Sequence, residues 1–229
     1  VKRFYEKAAA RRTDEGWQVE LDGRPLRTPK RAPLILPTEA MAQAVAAEWD
    51  AQGDLIDPAS MAMTGIANAA IDHVSADRLG FASRIAAYGE TDLVCYRASG
   101  PEPLAARQCA AWDPLIAWAA RRYDIAFELT EGLMPQPQPQ PTLSKLSAAL
   151  DAFDDFALAA AQPIVTITGS LVVTLALLER EIDAETAWLA GQVDELYQME
   201  EWGADAEAEA VLARRRSELE TAARFLSLR

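Results

Sequence analysis

The stretch Trp17–Gly53, WQVELDGRPLRTPKRAPLILPTEAMAQAVAAEWDAQG, decides the fold class. Trp17, Val19 and Leu21 alternate with polar residues, as in a strand with one buried face. Asp22-Gly23 is a two-residue hairpin turn, because both positions accept positive φ, and Arg24–Thr28 returns from it. The prolines at 29 and 33 enclose a second turn. Leu34-Ile35-Leu36 is a third short strand, which Pro37 ends. Thr38 then caps a helix predicted to run to Gln52, with Met41, Val45, Glu48, Trp49 and Gln52 at three- and four-residue spacing and Gly53 at its close. Three short strands and one helix make a small α+β unit over residues 1–59.

From residue 60 the pattern becomes helical. Apolar spacing predicts helices over 61–73, 77–88, 104–123, 143–161, 169–181, 184–202 and 206–226. Leu93–Arg97 and Phe127–Leu129 are short apolar runs that fit strand or helix. Pro135–Pro141, PQPQPQP, has no apolar face to bury. It is expected to be an extended, solvated and dispensable loop inside the helical part. The expected organisation is thus α+β: a β-rich N-terminal domain, 1–59, and a helical domain, 60–229.

Thr186–Gly203, TAWLAGQVDELYQMEEWG, breaks the pattern of a solvated helix. On a helical projection Trp188, Leu189, Val193, Leu196, Met199 and Trp202 share one broad apolar arc. Glu195 and Glu200 project into that arc, while Asp194 and Glu201 lie outside it. Glu200 and Glu201 also crowd the C-terminal end of the helix, where the dipole disfavours carboxylates. Acids on an apolar face suggest contact with a basic partner. The plainer reading has them reaching water at the margins of the core, or pairing with arginines of the same chain. Of the six tryptophans, Trp202 is the one expected to be partly exposed, beside two glutamates and a helix-ending glycine.

Composition excludes several classes. The net charge is −13 over 229 residues, with the negative excess concentrated in the C-terminal half. That argues against nucleic acid and anionic membranes, which need a clustered positive field. No apolar stretch is long enough to span a bilayer, and no signal-peptide pattern opens the sequence. Cys95 and Cys109 imply no disulfide framework; two reduced thiols in a packed interior are expected. With His73 they are too few for a structural zinc site, so no metal and no cofactor is expected. Neither GxxxxGK[ST] nor GxGxxG occurs. Carboxylate pairs such as Asp154-Asp155 and Asp194-Glu195 are too common here to mark acid–base chemistry.

Several motifs occur together in one order: LDGRPLRTP (21–29), AAEWDAQ (46–52), DPASMAMT (57–64), IANAAID (66–72), YGETDLVCYRA (88–98), WDPL (112–115), GSLVVTLAL (169–177) and YQMEEWG (197–203). In combination they resemble the ATP synthase assembly chaperones that hold the α subunit of the catalytic sector. The resemblance covers almost the whole chain. The PQPQPQP run and the acidic segment Asp205–Glu209 depart from the family pattern.

The resemblance implies a non-enzymatic, monomeric chaperone that binds the unassembled α subunit and prevents its aggregation until it pairs with β. It implies neither nucleic-acid binding nor membrane insertion. The expected location is the bacterial cytoplasm, or alternatively the mitochondrial matrix. It places function in the acidic cluster just before the YQ element, Asp194 and Glu195. Together with the carboxylates and aromatic residues of the helical stretch, the expected partner-binding residues are Asp194, Glu195, Tyr197, Glu200 and Trp202. Trp49, Asp50 and Asp92, from EWDAQ and ETDLVCYR, take structural roles. Two rival readings are a hydrolase using acidic groups in an interdomain cleft, and a passive scaffold.

Overall fold

The computed structural model describes residues 1–132, 136–203 and 205–229. Six strands and ten α-helices are found among them, so the fold is α+β, as expected. Their contacts group the chain into two units, each described by itself. The first holds Val1–Arg78, Asp155–Ala160 and Thr221–Arg229; the second holds Leu79–Asp154 and Ala161–Glu220.

The first unit is built on a four-stranded antiparallel sheet. β1 (Ala8–Thr13) pairs with β2 (Gly16–Leu21), which also pairs with β3 (Arg24–Pro25) and β4 (Ile35–Leu36). Asp22 and Gly23 have φ of 48° and 75°, the left-handed geometry of the expected hairpin turn. β1 was absent from the sequence reading. Its AAARRT sequence has little intrinsic strand preference, but pairing with β2 over six residues supplies what propensity does not. α1 (Glu39–Asp50) packs on β1, β2 and β4 and begins as expected, with Thr38 Oγ1 accepting the Met41 N–H at 3.2 Å. Met41, Ala42 and Val45 are fully buried, as are Val19, Leu34 and Leu36.

Buried and half-buried polar groups tie this unit's loops together. Glu48 accepts the N–H groups of Met63 and Thr64 at 2.7 and 2.8 Å, capping the start of α2 (Ala62–Ala69). Asp72, in a π-helical turn after α2, accepts the Thr28 hydroxyl at 2.6 Å and the Lys30 N–H at 3.0 Å. Thr38 Oγ1 donates to the Leu228 carbonyl at 2.6 Å, tying in residues 221–229.

The second unit is helical. α7 (Leu171–Leu178) is its centre: all eight residues are buried, and α4 (Glu102–Tyr123) and α8 (Ala184–Gly191) pack on it. Trp112 is fully buried and donates its indole N–H to the Ala190 carbonyl at 2.7 Å, joining α4 to α8. Of the two ambiguous runs, the first is part turn and part strand, while Phe127–Leu129 is neither helix nor strand and precedes β6. Leu93–Cys95 is a 3₁₀ turn, and β5 (Tyr96–Arg97) pairs in parallel with β6 (Thr130–Glu131). Cys95 is buried, but Cys109 on α4 is exposed, so the expectation of two interior thiols holds for one.

Three helical expectations need correction. The helix expected over 143–161 is two helices, α5 (Gln140–Ala149) and α6 (Asp155–Thr168). α6 continues past Pro163, although a proline inside a helix costs roughly 3 kcal/mol, because the turn it enters carries fully buried Ile164 and Val165. The PQPQPQP run is not all solvated loop. Gln140 and Pro141 open α5, where proline is at home. Gln138 is buried; its amide donates to the Glu128 carbonyl at 2.8 Å and accepts the Glu128 N–H at 3.1 Å. Pro135 lies outside the described residues.

The third correction concerns 184–202, which is α8 followed by a separate helix, α9 (Val193–Trp202). Gln192 interrupts them with φ −125° and ψ 21°. It is buried, with its amide donating to the Ile167 carbonyl at 3.0 Å. Gly191 lies so near Thr168 that a Cβ would stand 2.8 Å from the Thr168 Cα. Close backbone approach and a buried amide anchor the break. α10 (Ala206–Ser227) follows.

Candidate functional site

The break at Gln192 re-aims the residues of the expected apolar arc. Trp188 and Val193 point into the core, while Leu189 is 46% and Trp202 76% exposed. The single stripe of the sequence reading is therefore two surfaces, one on each side of α9.

The first surface is a groove of about 530 Å³ between α9 and α10. Glu195, Gln198, Met199 and Trp202 line it from α9, and Ala208, Val211, Leu212 and Arg215 from α10. Asp205 and Glu207 stand at its mouth, where Asp205 accepts the Ala208 N–H at 2.8 Å and so caps α10. Glu195 is exposed. Among the described residues it forms no ion pair; Arg216 is engaged with Glu185 and Glu220. The internal pairing considered for Glu195 with Arg180 or Arg214–Arg216 is thus not made.

The second surface, also about 530 Å³, lies between α4, α8 and α9. Leu115, Leu189, Val193 and Leu196 give it an apolar floor, and Arg107 and Glu200 stand at its edge. These two form an ion pair at 2.7 Å. The guanidinium holds the Glu200 carboxyl below its ordinary pKa, chiefly through that hydrogen bond. Both side chains are well exposed, so the pair adds little stability.

Of the five expected partner-binding residues, the structure brings Glu195 and Trp202 together in one groove and puts Glu200 on the other. Asp194 is half-buried and accepts from the Gln108 amide at 2.7 Å; Gln108 in turn accepts the Ala98 N–H at 2.7 Å. Tyr197, expected to offer apolar contact beside Trp202, is 5% exposed, with the Arg107 guanidinium 5.2 Å from its ring centre. It braces α9 from within. The α10 wall was missed. Val211-Leu212 inside the polar run AEAEAVLARRR was the available signal.

The residues given structural roles sit elsewhere. Asp92 is fully buried. Its Oδ1 accepts the Val94 N–H at 3.3 Å and its Oδ2 the Val172 N–H at 2.9 Å. Burial pushes its pKa up to about 6, against the opposing hydrogen bond from Ser170 and those from the backbone. Asp50 is exposed and accepts the Ala8 N–H at 3.3 Å, beside Arg3 at 3.6 Å. Trp49 is half-buried, against Tyr5 at 5.8 Å between ring centres. Its carbonyl accepts the Tyr5 hydroxyl, and its indole N–H is buried without a partner.

Among the described residues no group of three or more His, Cys, Asp or Glu side chains is placed to hold a metal ion. No helix among them is long and apolar enough to cross a membrane. An acidic groove with an exposed tryptophan has the chemistry of a surface that meets another polypeptide.

Comparison with known proteins agrees with the motifs. The family described as ATP12 chaperone protein matches residues 2–120. The crystal structure of Atp12 from Paracoccus denitrificans superposes with a TM-score of 0.92 at 43% identity, covering 100% of this chain and 98% of that one. Atu1473 from Agrobacterium tumefaciens gives 0.93 at 37% identity, over 99% of this chain and 85% of its own. The mitochondrial protein atp12 of Schizosaccharomyces pombe is 22% identical over 214 residues, 88% of this chain and 74% of that protein. The chain belongs to the ATP12 chaperone family, the ATP synthase assembly chaperones that its motifs resemble.

Proposed function

We propose that this protein binds the unassembled α subunit of the ATP synthase catalytic sector and keeps it from aggregating until β takes its place. The reading has no catalytic step. It has the chain act as a monomer, in a bacterial cytoplasm or a mitochondrial matrix. A subunit destined for a ring exposes broad interfaces before assembly, and unpaired apolar surface of that size is an aggregation hazard. A chaperone must cover such surface and still be displaced. An interface that relies on exposed carboxylates around modest apolar contacts is suited to that, because it is specific without being irreversibly buried.

The observation that carries the reading is Glu195, an exposed carboxylate without an ion partner among the described residues, in one groove with the 76% exposed Trp202. Both belong to the segment to which the family resemblance assigns partner binding. Glu200 and the apolar surface behind it extend the contact around α9.

The test is aggregation of purified α subunit, followed by light scattering with and without equimolar protein. Suppression that ends when β is added is the expected result. Unchanged scattering, with the protein recovered free of α, would exclude α as the client.

A further inference from the structure

The N-terminal segment is basic in an otherwise acidic chain. Residues 1–36 contain nine Lys or Arg and five Asp or Glu, against a net charge of −13 for the whole. Lys2, Lys7, Arg11, Arg12, Arg24, Arg27, Lys30 and Arg31 are exposed. Within this segment lies a groove of about 510 Å³ lined by Phe4, Tyr5, Leu21, Asp22, Arg24, Pro25, Leu26 and Arg27. Phe4 is 68% exposed and meets Tyr5 edge-on at 5.4 Å between ring centres. Neither Arg24 nor Arg27 forms an ion pair among the described residues. The groove's own carboxylate, Asp22, is occupied by the N–H groups of Glu6 and Lys7, at 3.0 and 2.9 Å.

We infer that this groove is a second protein-docking site, for an extended partner segment in which carboxylates flank an aliphatic or aromatic side chain. The apolar side chain sits against Phe4, Leu21, Pro25 and Leu26. The carboxylates meet Arg24 and Arg27, whose guanidinium groups can each take two carboxylate oxygens. The shape and the charge choose the class of partner. The groove holds one or two side chains between apolar walls, where a nucleic-acid backbone would leave Phe4 unused. A nucleic acid or an anionic membrane would also meet the negative field of the remaining chain, whereas a short acidic segment fits inside the local basic field. The site lies wholly in the first unit and depends on neither Glu195 nor Trp202.

The test uses the full-length protein and a fluorescein-labelled peptide of alternating glutamate and leucine with one central phenylalanine. A control peptide replaces the leucines and phenylalanine with glutamine. Fluorescence anisotropy should show the first peptide binding, weakening as salt is raised, and the control binding at least about tenfold more weakly. The double variant Arg24→Glu, Arg27→Glu and, separately, Phe4→Ser should each lower affinity at least about tenfold. Arg121→Glu, at an exposed position of α4 outside all of these grooves, lowers net charge equally per site and should change it less than about twofold. Matching melting curves confirm that the variants remain folded. Equal binding of both peptides, or equal loss in the Arg121→Glu variant, overturns the inference. So does a face that fails to bind the peptide but takes up phosphatidylserine vesicles, or one whose reversal only dissolves a dimer in sedimentation.

Discussion

Asp92 and Val172, eighty residues apart, are joined by a 2.9 Å hydrogen bond in which the carboxylate caps the first turn of the fully buried helix α7. The same carboxylate accepts the Val94 N–H and so starts the 3₁₀ turn before β5. One side chain thereby fixes two chain reversals inside the helical unit. The apolar surroundings resist its charge, and its pKa rises to about 6.

A pH dependence follows. The folded chain keeps on Asp92 a proton that the unfolded chain releases near its ordinary pKa of 3.8. Its stabilising contribution is therefore complete below about pH 4 and is lost as pH rises through about 6. In the Asp92→Asn variant this part of the profile is absent. The stability of wild type relative to the variant should fall by about 3 kcal/mol between pH 4 and 7. Parallel urea-denaturation profiles for the two proteins would show that Asp92 keeps its charge throughout.

Trp49 carries its ring and its indole N–H to different effect. Trp49→Ala removes the contact with Tyr5 and should cost about 3 kcal/mol. Trp49→Phe retains an aromatic ring and removes the unpartnered buried N–H, so it should stay within about 1 kcal/mol of wild type. Thermal melts that lose equally in both variants would mean that the indole N–H has a partner after all.

Gly191→Ala places a Cβ against the Thr168 backbone, which has no flexible end to move aside. The chain must shift where α8 meets the end of α6, at a cost of about 1–3 kcal/mol. α9 should be displaced with it. Client protection should then drop even at temperatures where the variant is folded. A variant with unchanged melt and full protection would contradict the close approach.

The proline–glutamine run, expected from the sequence to be dispensable, contains the buried Gln138. Gln138→Ala leaves both the N–H and the C=O of Glu128 unsatisfied and should cost about 1–3 kcal/mol. Gln136→Ala, at an exposed position, should change stability by less than about 0.5 kcal/mol. Equal melts for the two would show that the Glu128 groups find water instead.

Glu195→Lys tests the proposed client surface. The side chain is exposed and forms no ion pair among the described residues, so its reversal should leave stability within about 0.5 kcal/mol of wild type. Protection of the α subunit should be lost, since a like charge at an interface costs several kcal/mol. Full protection by a stable Glu195→Lys protein would remove this residue from the contact.

Much of this was legible from residue patterns. Thr38 before Glu39–Asp50, and Asp22-Gly23 between β2 and β3, state their structures through chemistry local in sequence. β1 was not legible, because an Ala-Arg strand is defined only by the partner that pairs with it. The end of α6 was misread because Pro163 is a strong local signal, while the burial of Ile164 and Val165 is a tertiary one. In the candidate site, the acids and Trp202 stood out as carboxylates in an apolar arc. The interruption at Gln192 did not, since it depends on Thr168 and Ile167, more than twenty residues earlier. Tyr197, expected to add apolar contact beside Trp202, is buried instead.

The first unit draws on residues 155–160 and 221–229 as well as on 1–78, and the Thr38 hydroxyl reaches the Leu228 carbonyl. This has a consequence for synthesis. Residues 221–229 are synthesised well after the β-sheet and α1 that they complete. The native packing of that unit therefore waits for them, and truncation after residue 220 damages a structure whose sheet lies far earlier in the sequence.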